Sequence, residues 1–253
     1  VKTKPRIGIT LGDPAGIGPE VVAKALRSGK VDSRYDYEVI GHAQTSRRAD
    51  AVDWVVTGAQ RCLAGELAGL VTGPISKELL KQAGYDFPGQ TELLAHLSRT
   101  RKFAMMLVGG PLRVSLVTTH APLAKVSGLI TTGKIEGIIE LTCEACRRFG
   151  IRTPRIGVAG LNPHAGEGGL CGTEERRVIA PAVRRFARRR GCKVTGPVSA
   201  DTLFHKAYHG GFDAVVAMYH DQGLTPLKMI AFDSGVNLTL GLPFVRTSPD
   251  HGT

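Results

Sequence analysis

The chain has 253 residues, 42% of them hydrophobic, and a formal charge of +11. That length suits one large domain or two lobes of roughly 100–150 residues. No apolar run approaches the roughly 20 residues needed to span a bilayer, and the start, Val1 to Arg6, lacks a signal peptide's apolar core, so a soluble cytoplasmic protein with no membrane partner is expected.

Much of the basic excess lies in Arg184, Arg185, Arg188, Arg189 and Arg190. Cations are favoured near a helix C-terminus, and such a run reads as a solvated face. With 6% aromatics and no recognisable nucleic-acid module, nucleic acid is not an expected partner. The five cysteines are odd in number and scattered, which argues against a disulfide framework. Cys143 and Cys146 have C-x-x-C spacing but lie inside a helical pattern with no second pair, so no zinc or redox site is expected.

Short apolar runs alternate with amphipathic ones, the signature of an α/β fold with a largely parallel sheet. In chain order the pattern predicts a strand at Arg6–Leu11, a helix at Pro19–Arg27 and a strand at Tyr37–Gly41. A helix at Val52–Ala64, a strand at Gly69–Thr72 and helices at Ser76–Gln82 and Glu92–Ser98 follow. Strands at Phe103–Val108 and Arg113–Thr118 precede a helix at Lys134–Phe149 and a strand at Arg155–Gly160. Then come helices at Glu174–Arg189 and Thr202–Tyr208 and strands at Ala214–Met218 and Val236–Leu240. Thr173 reads as the N-cap of the first of those helices.

After the first strand, Gly12-Asp-Pro-Ala-Gly16-Ile-Gly18-Pro-Glu20 opens a helix. Its spacing is not that of a Rossmann fingerprint. It is either a structural turn or a loop that faces an anion at a helix N-terminus.

Three predicted strands run into histidines: His120, His164 and His220. Ligands of open α/β sheets bind beyond the carboxyl ends of the strands. Three imidazoles converging there make a metal site with open positions for substrate oxygens. His42 also follows a strand, while His96, His205 and His209 lie on helical segments. A glycine-rich loop, Ala165 to Gly172, surrounds the second histidine. Further on, Lys228, Asn237 and Arg246 lie in or beside apolar stretches. Cations near buried strands need anionic partners, either a substrate carboxylate or phosphate or an internal salt bridge.

Gly12-Asp-Pro-Ala-Gly-Ile-Gly-Pro, Leu161-Asn-Pro-His-Ala-Gly-Glu-Gly-Gly, Ala200-Asp-Thr-Leu-Phe, Met218-Tyr-His-Asp-Gln-Gly and the run from Phe244 to Thr253 appear in order. Together these motifs resemble the 4-hydroxythreonine-4-phosphate dehydrogenase (PdxA) family, from Arg6 to Thr253. The resemblance implies two-lobed α/β subunits related to isocitrate and isopropylmalate dehydrogenases, with the whole chain forming one catalytic unit. It also implies a homodimer with shared active sites. One divalent metal (Zn, Mg or Co) would be held by His120, His164 and His220 across the dimer interface. Substrate contacts carry over to Gln90, Thr91, Lys228, Asn237 and Arg246. An NAD or NADP loop carries over to His251, Gly252 and Thr253.

The implied reaction oxidises 4-phosphohydroxy-L-threonine to a β-keto acid, which decarboxylates to 3-amino-2-oxopropyl phosphate. Asp201 and Lys228 are candidates for the general base on residue type. Two departures stand out. Where the family has Gly-His-Thr-Glu, this chain has Gly89-Gln-Thr-Glu92, which keeps open a D-threonate or D-erythronate 4-phosphate substrate. Several dozen family residues are also expected to lack a counterpart around Arg48–Val52, and a C-terminal segment after Thr253. A metal-dependent hydrolase and a non-catalytic phospho-acid-binding protein are the readings from other classes.

Overall fold

A computed structural model describes residues 3–45, 47–188 and 191–253. Arg189 and Arg190, which end the expected basic helix, lie outside the described residues. The chain divides into two compact units, Val1–Arg101 with Asn237–Thr253, and Lys102–Val236. No helix among the described residues is long and apolar enough to cross a membrane.

In the first unit, strands β1 (Arg6–Thr10), β2 (Asp36–Ile40), β3 (Gly69–Thr72), β9 (Val236–Leu240) and β10 (Val245–Pro249) lie in the order β2-β1-β3-β10-β9. β1 is parallel to β2 and β3, and β10 is parallel to β3. Helices α1 (Gly18–Arg27), α2 (Asp50–Leu63), α3 (Lys77–Gln82) and α4 (Gln90–Leu97) are the helices of this unit. α2 buries Ala51, Val52, Val55 and Ala59 completely, the i, i+1, i+4, i+8 positions of one helical face. β3 and β9 occupy the expected bounds. β10 was not expected, because its inward residues, Arg246 and Ser248, are polar.

In the second unit, β4 (Ala104–Gly109), β5 (Leu112–Leu116), β6 (Arg155–Ala159), β7 (Lys193–Val198) and β8 (Ala214–Ala217) lie in the order β4-β5-β8-β6-β7. β4 and β5 form an antiparallel hairpin, and β5, β8, β6 and β7 are mutually parallel. Helices α5 (Leu123–Leu129), α6 (Thr132–Arg148), α7 (Ala180–Ala187), α8 (Ala200–Tyr208) and α9 (His220–Ala231) complete this unit. Leu203, Phe204, Ala207, Leu224 and Leu227 from α8 and α9 join strand residues Val114, Leu116, Val215 and Ala217 in one core. At Gly223 a Cβ would sit 2.8 Å from Val114 Cγ1, so only glycine lets α9 approach β5 this closely.

The segment around Lys228, to which the sequence pattern assigns no element, is the end of helix α9. Two expectations need correction. The expected single helix from Glu174 opens as a turn of π-helix, Glu175–Ile179, and continues as α7. Thr173 does not cap it; its own N–H donates instead to the Glu174 carboxylate, 3.0 Å away.

Candidate active site

Neighbouring parallel strands bring two of the histidines together. The β5–β8 pairing runs on past both strand ends: Val117 N–H donates to Ala217 O at 2.9 Å, and Thr118 N–H to Met218 O at 3.1 Å. The Thr118 hydroxyl donates to the same Met218 carbonyl at 2.8 Å. Two residues beyond each of these partners stand His120 and His220, the latter as first residue of α9. Their ring centroids are 5.6 Å apart. Imidazoles that share one cation through nitrogens at about 2.0–2.1 Å place their centroids roughly 5–6 Å apart, so this pair fits a shared ion.

His220 Nδ1–H donates to Asp221 Oδ1 at 2.7 Å, which leaves Nε2 for a metal. His164 stands elsewhere in the same unit, exposed on the loop after β6. Among the described residues, no group of three or more His, Cys, Asp or Glu side chains is arranged to hold a cation. Within one chain, therefore, His164 does not join the other two.

The loop that carries His164 is held by two glutamates that sequence reasoning passed over as helix-start residues. Glu175 is 4% exposed. Its carboxylate accepts from Leu161 N and Asn162 N, each at 2.7 Å, and from Asn162 Nδ2 at 3.0 Å. Glu174 accepts from Ser127 Oγ at 2.8 Å and from Asn162 Nδ2 at 2.9 Å. These donors, the Ser127 hydroxyl foremost, hold the Glu174 carboxyl down at about 2. The only hint in the sequence is the spacing of Asn162, the glycines and the Glu pair.

Asp201 is exposed on the first turn of α8. Its carboxyl is lowered by a hydrogen bond with Ser199, by the Thr202 N–H, and by the nearby His164. A carboxylate held ionised in this way is a weak proton acceptor, which counts against a general-base role. Lys228 is half-buried on α9, with Nζ 5.8 Å from the centroid of the Phe232 ring. Between α8 and α9 lies an apolar groove of about 670 Å³, lined in part by Asp201, Phe204, Tyr208, Tyr219 and Met229.

The first unit holds a second polar cluster. Arg246 is 3% exposed on β10. Its guanidinium donates to the Thr72 hydroxyl at 3.1 and 2.7 Å, to Thr239 Oγ1 at 3.0 Å and to Thr91 Oγ1 at 3.4 Å. Burial pushes Arg246 down to about 10, so it is still charged at neutral pH.

Gln90, beside Thr91, donates from Nε2 to Gly73 O at 2.9 Å. Its Oε1, like Oδ1 of Asn237, is buried without a hydrogen-bond partner. Arg246 is thus a buried cation hydrogen-bonded to neutral hydroxyls, with Glu92 as a charged neighbour, and the unpartnered Gln90 oxygen belongs to the residue beside its hydrogen-bond partner Thr91.

The glycine-rich turn after β1 is closed by its own side chains. Asp13, 1% exposed, pairs with Arg48 and accepts from Ala15 N at 3.0 Å. His251, Gly252 and Thr253 are exposed, and Thr253 Cβ lies 3.4 Å from where a Gly16 Cβ would stand. Cys143 and Cys146 are buried on α6 as free thiols, and burial pushes Cys146 up to about 11, away from thiolate character.

Residues 17–253 match the family model described as pyridoxal phosphate biosynthetic protein PdxA. A 4-hydroxythreonine-4-phosphate dehydrogenase from Geobacter metallireducens is 43% identical, over 99% of this chain and 88% of the relative. That comparison runs over 301 positions, more than this chain possesses, so the relative carries residues with no counterpart here. A D-threonate 4-phosphate dehydrogenase from Pectobacterium atrosepticum is 40% identical, over 98% of this chain and 91% of the relative. The crystal structure of a 4-hydroxythreonine-4-phosphate dehydrogenase from Klebsiella pneumoniae superposes with a TM-score of 0.84 at 38% identity, covering 99% of this chain and 92% of that one.

Proposed function

The chain belongs to the PdxA family, and on that premise we propose that it is a metal-dependent, NAD(P)-linked dehydrogenase that oxidises 4-phosphohydroxy-L-threonine. The product is a β-keto acid that loses carbon dioxide to give 3-amino-2-oxopropyl phosphate. The observation that carries this reading is the approach of His120 and His220, 5.6 Å apart by ring centroids. These two imidazoles would hold a divalent cation, Zn, Mg or Co, and His164 of a second subunit would complete the set. A homodimer with shared sites is therefore part of the proposal. In its support, α8 and α9 expose Tyr208, Met229, Ile230 and Phe232, apolar surface of the kind that subunits cover.

Arg246 would bind the anionic end of the substrate, with Thr91 beside it, and Lys228 would meet a second anionic group. Gln90 and Asn237 would offer their unpartnered oxygens to substrate N–H or O–H groups. His251, Gly252 and Thr253, beside Gly16, would hold the nicotinamide cofactor. When bound, the cation supplies Lewis acidity at the reacting hydroxyl and the cofactor supplies a hydride acceptor. The residues of the chain fix distance and orientation. Asp201 and Lys228 are the candidate bases, and the lowered carboxyl makes Asp201 a weak acceptor.

The test is NAD(P)H absorbance with 4-phosphohydroxy-L-threonine, with and without added divalent metal, in wild type and His164→Ala. Turnover that needs the metal and vanishes in the variant is expected. Unchanged activity in the variant would remove the metal site. A second reading, oxidation of D-threonate 4-phosphate, is kept open by the neutral Gln90 and is the activity in the Pectobacterium relative's name. The same assay with that substrate decides between them. Phosphate release or binding without NAD(P) reduction would instead point to a hydrolase or a binding protein.

A further inference from the structure

The loop after β6 contains five consecutive residues in the left-handed region. Their φ values are 51° at His164, 53° at Ala165, 82° at Gly166, 43° at Glu167 and 68° at Gly168. Left-handed backbone costs a residue with a Cβ roughly 1–2 kcal/mol, and His164, Ala165 and Glu167 each have one. A turn of this kind persists only where its surroundings over-determine it.

Glu175 supplies that constraint. On one limb of the turn its Oε1 accepts from both Leu161 N and Asn162 N, each at 2.7 Å. On the other limb it backs directly onto Gly166, where a Cβ would stand 2.6 Å from Oε2. Gly160 is packed just as closely: a Cβ there would meet Ala165 Cα at 2.8 Å and Glu175 Oε1 at 3.2 Å. The strand end is fixed independently, because Gly160 N donates to Val198 O at 2.8 Å and Gln222 Nε2 donates to Gly160 O at 2.7 Å. Within the turn Cys171 N donates to Gly166 O at 3.2 Å, and Glu175 is the buried side chain that joins both limbs. The one exposed imidazole on that turn is His164.

We infer that Glu175 is the positioning residue for His164. Its buried carboxylate, bound to Leu161 and Asn162 and packed beneath Gly166, holds the left-handed turn that presents the imidazole. The inference rests on the reading of His164 as a metal ligand. Glu175 itself touches no substrate, cofactor or reacting atom. Its substitution therefore acts on the cation through the ring. Partners that orient metal ligands typically change metal affinity by about 10–100-fold when lost.

The test is a Co²⁺ titration of the full-length protein, read by calorimetry and by the visible absorption of the bound ion. Wild type, His164→Ala, Glu175→Gln, Glu175→Asp and the double variant His164→Ala/Glu175→Gln are compared, with thermal melting of each metal-free protein. Glu175→Gln should weaken Co²⁺ binding about 10-fold or more in the wild-type background. In the His164→Ala background it should add less than about 3-fold, because the ring through which it acts is gone. Glu175→Asp keeps the charge but falls one methylene short of both limbs, and should give an intermediate loss if the Gln variant does not fold.

Equal weakening in both backgrounds would make Glu175 a general support of the fold and overturn the inference. So would Co²⁺ affinity within 2-fold of wild type in Glu175→Gln or Glu175→Asp. If wild type binds no Co²⁺, or His164→Ala binds it as well as wild type, the metal reading itself fails and takes the inference with it.

Discussion

Two nitrogens of the Arg246 guanidinium converge on a single hydroxyl, that of Thr72, at 3.1 and 2.7 Å. A buried cation hydrogen-bonded to threonine oxygens has given up hydration for weak neutral partners, and its affinity for the proton is lowered by burial, against the opposing pull of Glu92. A bound phosphate or carboxylate would add the charge-assisted hydrogen bonds that the hydroxyls do not supply. Arg246→Met should therefore cost binding of the phosphorylated acid about 2–5 kcal/mol, the usual loss for one partner of a buried charged pair. The metal-free, substrate-free protein should melt near the wild-type temperature or above it, since an apolar side chain replaces a poorly solvated charge. Calorimetry and thermal melting on the same variant check both halves. Wild-type affinity in the variant would take Arg246 out of the substrate site.

The His164 loop should loosen in acid. Glu174 titrates at about 2 in the folded chain against an ordinary 4.5. A carboxyl lowered by folding stabilises the native state fully above its unfolded value, and that contribution is lost as pH falls through the folded one. The window is therefore pH 4.5 down to 2. The protection factor of the Thr173 amide, whose N–H donates to Glu174, should fall across it once the intrinsic pH dependence of exchange is divided out, and Glu174→Gln should remove this component. A variant whose exchange still tracks wild type from pH 5 to 3 would exclude Glu174 as its source.

What the sequence reveals and conceals here follows one physical line. β3 and β9 are legible because short apolar or β-branched runs end at Gly73, Pro74 and Gly241. β10 is hidden because hydrophobic alternation is the signal for a strand, and its buried face consists of Arg246 and Ser248. β7 contains Gly196 and Pro197, which read as a turn, yet it is the last strand in the order of its unit, where proline is tolerated. α9 contains Gly223 and Pro226, residue types that punctuate helices. Burial of Leu224 and Leu227 against β5 and β8 outweighs them. The strand-end histidines could be found, since a sheet delivers its loops to one edge. His120 and His220 meet because β5 lies beside β8, an order that hydrophobic periodicity does not encode. β6 borders β8 as well, so it is the left-handed turn after β6, equally invisible in the periodicity, that sets His164 apart.

Asp221 orients His220 through the Nδ1–H bond of 2.7 Å, but its side chain is 82% exposed. A solvated carboxylate orients a ring less firmly than a buried one. Asp221→Asn should weaken Co²⁺ binding toward the lower end of the range for such partners, about 10-fold. The apo melting temperature should hardly move, because exposed pairs contribute about 0–1 kcal/mol. A loss of affinity as large as that in His220→Ala would show instead that Asp221 reaches the cation itself.

Gln90 sets the chemistry beside Arg246. Its Nε2 is committed to Gly73 O at 2.9 Å, so the amide is held with Oε1 buried and unpartnered. A ligand hydroxyl or ammonium would satisfy that oxygen, whereas a phosphate oxygen would face it acceptor to acceptor. An imidazole at this position would reverse the preference once protonated, with an unperturbed pKa of about 6.5. An anion stabilises the charged ring, so binding of the phosphorylated acid should strengthen as pH falls. In Gln90→His the KM for 4-phosphohydroxy-L-threonine, divided by the wild-type KM at the same pH, should fall several-fold from pH 8 to pH 6. The division cancels the titration of the substrate phosphate and of every other group that both proteins share. A ratio flat across that range would place residue 90 out of reach of the substrate's anionic end.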